Sequence, residues 1–107
     1  MAEVLEAKIE GKLTRDLKAY GFIVVKLTTP GTLGSPDRLI IRPLWSPGPP
    51  WVIEVKRPKK HERRIQEIVR DDWRARGVRF LDMVNTFERV DELVFRLVWE
   101  CLGDALK

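Results

Sequence analysis

One cysteine, Cys101, and one histidine, His61, stand in 107 residues. A lone cysteine excludes an intramolecular disulfide, and the pair excludes a zinc site built from cysteine and histidine. A Ser–His or Cys–His nucleophile system would have to use His61, which sits in a run of basic residues. Metal chemistry in this chain must therefore rest on carboxylates, which favour Mg²⁺ or Mn²⁺. No apolar run approaches the roughly 20 residues that span a bilayer. The opening Met1-Ala-Glu-Val-Leu-Glu is acidic and polar, unlike a signal peptide, and the free thiol agrees with a reducing compartment. A cytoplasmic protein is expected. Repeats and low-complexity tracts are absent from the sequence.

What is present suits a single domain spanning residues 1–107, because domains commonly run to about 100–150 residues. Apolar residues make up 44%, enough for one core. Lysine and arginine number 20 against 16 acids, for a net charge of +4. Charge is uneven along the chain. Residues 1–55 hold seven basic and six acidic groups, residues 56–79 ten and four, and residues 80–107 three and six. The basic excess follows Glu54-Val55-Lys56 directly, and an anionic partner is plausible there.

Leu5, Ile9, Leu13, Leu17 and Tyr20 recur at helical spacing and predict a helix over about 3–19, stopped by Gly21. Residues 22–27 read as a strand. Residues 28–36 read as a loop, with two glycines and two prolines. Residues 37–42 and 51–56 read as two further strands, antiparallel because their connection is short. Ile65, Ile68, Val69 and Trp73 predict a helix over about 60–76 ended by Gly77. Residues 78–84 read as a fourth strand, parallel to the third through the crossover helix. Asn85 or Thr86 caps a last helix running to about Leu102. The fold class is α/β: helix, three strands, helix, strand, helix, around a mixed central sheet.

The chemistry-bearing residues are Pro36-Asp37 and Glu54-Val55-Lys56. Alternation along a strand puts residues 54 and 56 on one face and Ile53 and Val55 on the other, toward the core. If the second and third strands are antiparallel, Asp37 at the start of one meets Glu54 near the end of the other. Two carboxylates and the backbone carbonyl of Val55 can hold a hard divalent cation, which polarises a phosphate and acidifies a bound water. A nearby ammonium, Lys56, can orient that water or stabilise developing charge. A third acid would come from the first helix, with Glu10 the first choice and Glu6 the second.

These residues resemble the PD-(D/E)xK nuclease signature. Glu6-x-x-Ile9-Glu10-x-x-Leu13, Lys26, Gly34-Ser35-Pro36-Asp37-Arg38-Leu39, Val52-Ile53-Glu54-Val55-Lys56, Gln66 and Arg76-Gly77-Val78 occur in the order seen in VRR-Nuc domains. Those are virus-type replication-repair nucleases of phages and bacteria, some of them fused into eukaryotic repair enzymes. The resemblance covers residues 6–84. It implies a restriction-endonuclease-like αβββαβ core, to which the last helix is an addition. It implies metal ligands at Glu10, Asp37 and Glu54, a catalytic Lys56, and Gln66 beside the site. It also implies a Mg²⁺- or Mn²⁺-dependent endonuclease that acts on branched DNA such as Holliday junctions or flaps. The Pro-rich segment 44–50 and Arg57-Pro58 depart from the family pattern.

The residues also allow blander roles. Asp37 could open a turn, Glu54 and Lys56 could be a surface pair, and Gln66 and Lys26 could be solvated. The run Lys56, Arg57, Lys59, Lys60, Arg63 and Arg64 is expected, with Lys26, to track a phosphate backbone. A basic DNA-binding or assembly protein without turnover is the alternative function, and an RNA-directed nuclease a third. In the last helix Phe87, Val90, Leu93, Val94, Phe95, Leu97, Val98, Trp99, Cys101 and Leu102 exceed one stripe, which predicts a homodimer through that helix.

Overall fold

The computed structural model describes residues 2–28, 36–56 and 63–107. Helix α1 spans Ala2–Ala19 and buries Ile9, Leu13 and Leu17. The outer members of the predicted stripe, Leu5 in the helix and Tyr20 just past its end, stay exposed. Gly21 ends α1 at φ +95°. The Phe22 N–H reaches back to the Leu17 carbonyl (3.2 Å) and the Gly21 N–H to Lys18 (3.0 Å), a Schellman closure that carries Phe22 into the core beside Leu17.

Four strands follow in the spatial order β1-β2-β3-β4: Ile23–Lys26, Arg38–Ile41, Trp51–Ile53 and Arg79–Phe80. β1 and β2 are antiparallel, with Lys26 opposite Arg38. β2 and β3 are antiparallel, with Arg38 opposite Ile53. β3 and β4 are parallel, and a separate parallel bridge joins Val55 to Val84. Each strand is shorter than the sequence predicts.

Helix α2, Arg64–Ala75, makes the crossover between β3 and β4, and Gly77 closes it as Gly21 closes α1. Helix α3 spans Phe87–Ala105; Thr86 caps it, its Oγ1 accepting from the Arg89 N–H at 3.1 Å. Directly opposed residues share a sheet face. On one face Ile40, Trp51, Ile53 and Val55 meet the buried sides of α1 and α3 to form the core. On the other, α2 covers only the β3–β4 half, where Trp73 meets Phe80 edge-on at 6.0 Å. Ile23 and Val25 on β1 are left exposed. The apolar face predicted for α2 is corrected here: Ile65 and Ile68 are exposed, and Gln66 is buried instead. Among the described residues, no helix is long and apolar enough to cross a membrane.

Candidate active site

The antiparallel register decides which side chains meet. Arg38 opposes Ile53, so one step further Asp37 opposes Glu54. Backbone bonds hold the pair in place. The Asp37 N–H donates to the Ile53 carbonyl (3.2 Å), and the Asp37 carbonyl accepts from Leu27 N–H (2.8 Å). Asp37 Oδ1 accepts from the Val55 N–H (3.3 Å), tying the aspartate to the strand that carries the glutamate. The Val84 N–H donates to the Glu54 carbonyl (3.1 Å) and the Lys56 N–H to the Val84 carbonyl (2.9 Å), which pins the third strand's end from its other side. Lys56 Nζ lies 3.2 Å from Glu54 Oε1 on the same face.

Both acids are held under electrostatic pressure. The Asp37 carboxyl is pushed up to about 7, first by burial and then by the charge of Glu54. Burial also raises Glu54, and the Lys56 ammonium only partly offsets this. Desolvation disfavours a lone carboxylate and a neighbouring like charge adds to the cost.

Glu6 and Glu10 separate cleanly. Glu10 Oε1 is bound by Arg38 Nη2, whose guanidinium also donates from Nη1 to the Asp37 carbonyl (2.8 Å). Glu6 has no ion-pair partner among the described residues, and its charge raises both Asp37 and Glu54. The first-choice helix acid is thus engaged by an arginine, and the second choice faces the carboxylate pair. Arg38 itself escaped notice in the sequence. Its signal was parity: it shares the inward face with Ile40, and an inward arginine requires an acid partner.

Gln66 is buried, and its Oε1 accepts from the Arg63 N–H (2.9 Å), so it caps the first turn of α2. Lys26 is exposed at the strand end opposite Arg38. Arg63 and Arg64 are exposed at the start of α2, and Arg64 pairs with Glu67 at 3.1 Å. Arg57, Lys59, Lys60 and His61, and Gly34-Ser35 of the motif, lie outside the described residues. Among the described residues no group of three His, Cys, Asp or Glu side chains stands ready to hold an ion. What the structure offers a cation is the desolvated pair Asp37 and Glu54.

Two chains among the solved structures match this one. One of them, described as a VRR_NUC domain, is 29% identical over 83% of this chain and 92% of its own, with a TM-score of 0.71. The chain folds as a VRR-Nuc domain. No family model and no curated protein matches it. The likeness supports a nuclease-family domain.

Proposed function

We propose that this VRR-Nuc domain is a divalent-metal-dependent DNA endonuclease of PD-(D/E)xK type, acting on branched substrates such as junctions or flaps. The observation that carries the reading is the opposition of Asp37 and Glu54, both raised by burial, beside Lys56. Two desolvated acids fit a hard cation, because the ion supplies the charge that the protein withholds. Asp37, Glu54 and the Val55 carbonyl would hold Mg²⁺ or Mn²⁺, with Glu6 as the third acid in place of Glu10. The bound ion would polarise the scissile phosphate and acidify a water.

The chain's own groups divide the remaining work. Lys56, 3.2 Å from Glu54, would orient the attacking water or stabilise a phosphate oxygen with its ammonium. Arg38 fixes Glu10 and the Asp37 backbone, so the aspartate enters from a rigid strand start. Gln66 acts at one remove, by closing α2 next to the site. The basic residues after Lys56 follow the DNA backbone.

Labelled junction, flap and linear duplex DNA, incubated with Mn²⁺, Mg²⁺ or chelator, test this directly. Metal-dependent cleavage that Asp37→Ala abolishes supports it. Binding without cleavage under every metal favours the silent DNA-binding protein, and preferential cutting of RNA would reassign the substrate.

The reading includes a homodimer through α3. Phe95 and Trp99 are 65% and 59% exposed, with centroids 5.9 Å apart, and Tyr20, just past the end of α1, is half exposed beside them. Buried aromatics each cover about 150–250 Å², so a twofold contact here would hide several hundred Å² of apolar surface per copy. Light scattering at micromolar concentration should give twice the chain mass, and Trp99→Glu should halve it.

A further inference from the structure

The two sides of α1 differ in charge. The groove between α1 and α3 is apolar and edged by Asp16 and Asp91. On the opposite side, a shallow groove of about 510 Å³ has a floor of small residues, Ala7, Gly11 and Thr14. Its sides carry Arg15, Lys18 and Arg38 against a single acid, Glu10, which Arg38 already neutralises. Lys26 does not line the groove but stands opposite Arg38 on the edge strand, a further cation beside that lining residue. Lys18 and Lys26 have no ion-pair partner among the described residues, and Arg15 reaches only Asp16, at 3.9 Å. Another positive hollow, around Trp51, differs: its Arg74 and Arg79 pair with Asp82 and Glu100, which leaves Arg96 as its one cation without an ion-pair partner among the described residues.

We propose that this groove along α1 is a second DNA-backbone track, separate from the basic run after Lys56. It rests on the nuclease reading, because its head is the Arg38–Glu10 pair, one residue from Asp37. Uncommitted cations gain most from phosphate, since each contact releases condensed counterions. A floor without bulky side chains lets the sugar-phosphate chain come close to the helix. Glu6 to Lys18 is twelve residues, about 18 Å of helix. With a phosphate every ~3.4 Å of axis per strand, the track reaches about five nucleotides from the cut. Lys26 contacts the phosphates nearest the scissile bond, and Lys18 those farthest from it.

The test uses the full chain carrying Asp37→Asn, without metal, so that binding is read apart from cleavage. Fluorescence anisotropy with labelled duplex DNA is measured across a salt series. Adding Arg15→Glu with Lys18→Glu should flatten the slope of log affinity against log salt by about 1.8, two contacts' worth. A control with equal charge change, Arg76→Glu with Lys107→Glu, should leave the slope in place. Gly11→Gln separates blocking from misfolding: a Cβ there meets nothing within 4 Å, so the helix gains stability while the floor is filled. Its affinity should drop at least severalfold with the melting temperature unchanged or higher. An unchanged slope in the Arg15/Lys18 variant, or full affinity in Gly11→Gln, overturns the track, as does failure of the parent to bind DNA at low salt. If the wild-type chain cleaves DNA but the slope does not move, only the track falls. If the slope moves but no metal supports cleavage, only the nuclease reading falls.

Discussion

At the end of the sheet where β2 turns toward β3, charge is buried and fully matched. The Arg42 guanidinium donates from Nε to the Ser46 carbonyl (2.7 Å), and from Nη2 to Ser46 Oγ (2.8 Å) and Asp104 (2.8 Å). It also lies over the Trp51 ring at 5.2 Å, and Ser46 Oγ donates onward to the Cys101 carbonyl (2.8 Å). The Arg42 hydrogen bond pulls Asp104 below the usual carboxylate range. At the opposite end of the same strands the sign reverses. Asp37 and Glu54 are raised, and Lys56 and Arg38, whose Nη1 lies 4.0 Å from Asp37 Oδ1, oppose their charge only in part. One end spends its charge on holding α3 to the sheet. The other stores unfavourable charge, as functional sites do.

Breaking the contrast at the site end has the largest effect. Asp37→Ala or Glu54→Ala should reduce metal-dependent cleavage below detection. Lys56→Ala should cost roughly 10²–10³-fold in rate, as the loss of a charge-stabilising donor does. Both are read by single-turnover cleavage. At the far end Arg42→Ala should destabilise the fold by about 2–3 kcal/mol, leaving Ser46 unsatisfied and Trp51 unstacked. A denaturant melt measures that, and cleavage at low temperature should persist.

The contrast also has a pH signature. Asp37 binds its proton more tightly folded than unfolded, so between pH 4 and about 7 the folded state holds more protons. The contribution of this group is therefore full below the unfolded value and is lost as pH rises toward 7. Asp37→Asn should stabilise the metal-free chain by about 1–2 kcal/mol at pH 8, and much less at pH 4. Mn²⁺ affinity should run the other way, rising about tenfold per pH unit up to 7 and then levelling, because the ion needs the carboxylate. Titration calorimetry at four pH values reads this.

The smallest effect sharpens the choice between the helix acids. Glu6→Gln should weaken Mn²⁺ binding and keep stability. Glu10→Gln should keep Mn²⁺ binding and cost about 1–3 kcal/mol, since it leaves Arg38 without its carboxylate. The paired melts and metal titrations separate the two.

Element order, strand directions and both glycine stops were legible in the sequence, because the apolar periods and turn residues of Gly21, Gly77 and Thr86 act locally. The meeting of residue 37 with residue 54 was legible too, once the short connection fixed an antiparallel pair. Period alone failed on α2. Ile65 and Ile68 face outward, and Gln66 turns in, its carbonyl oxygen accepting from the Arg63 N–H. The pairing of Glu10 with Arg38, which sets it apart from Glu6, was not legible either. Both acids fall on the same helix edge, and only the arginine on the neighbouring strand distinguishes them.

The most direct test of the account is anomalous diffraction from crystals soaked in Mn²⁺. The account predicts a single strong peak touching the carboxylates of Asp37 and Glu54, lost in Asp37→Asn. A chain that cuts DNA with Mn²⁺ while the peak lies elsewhere would contradict it.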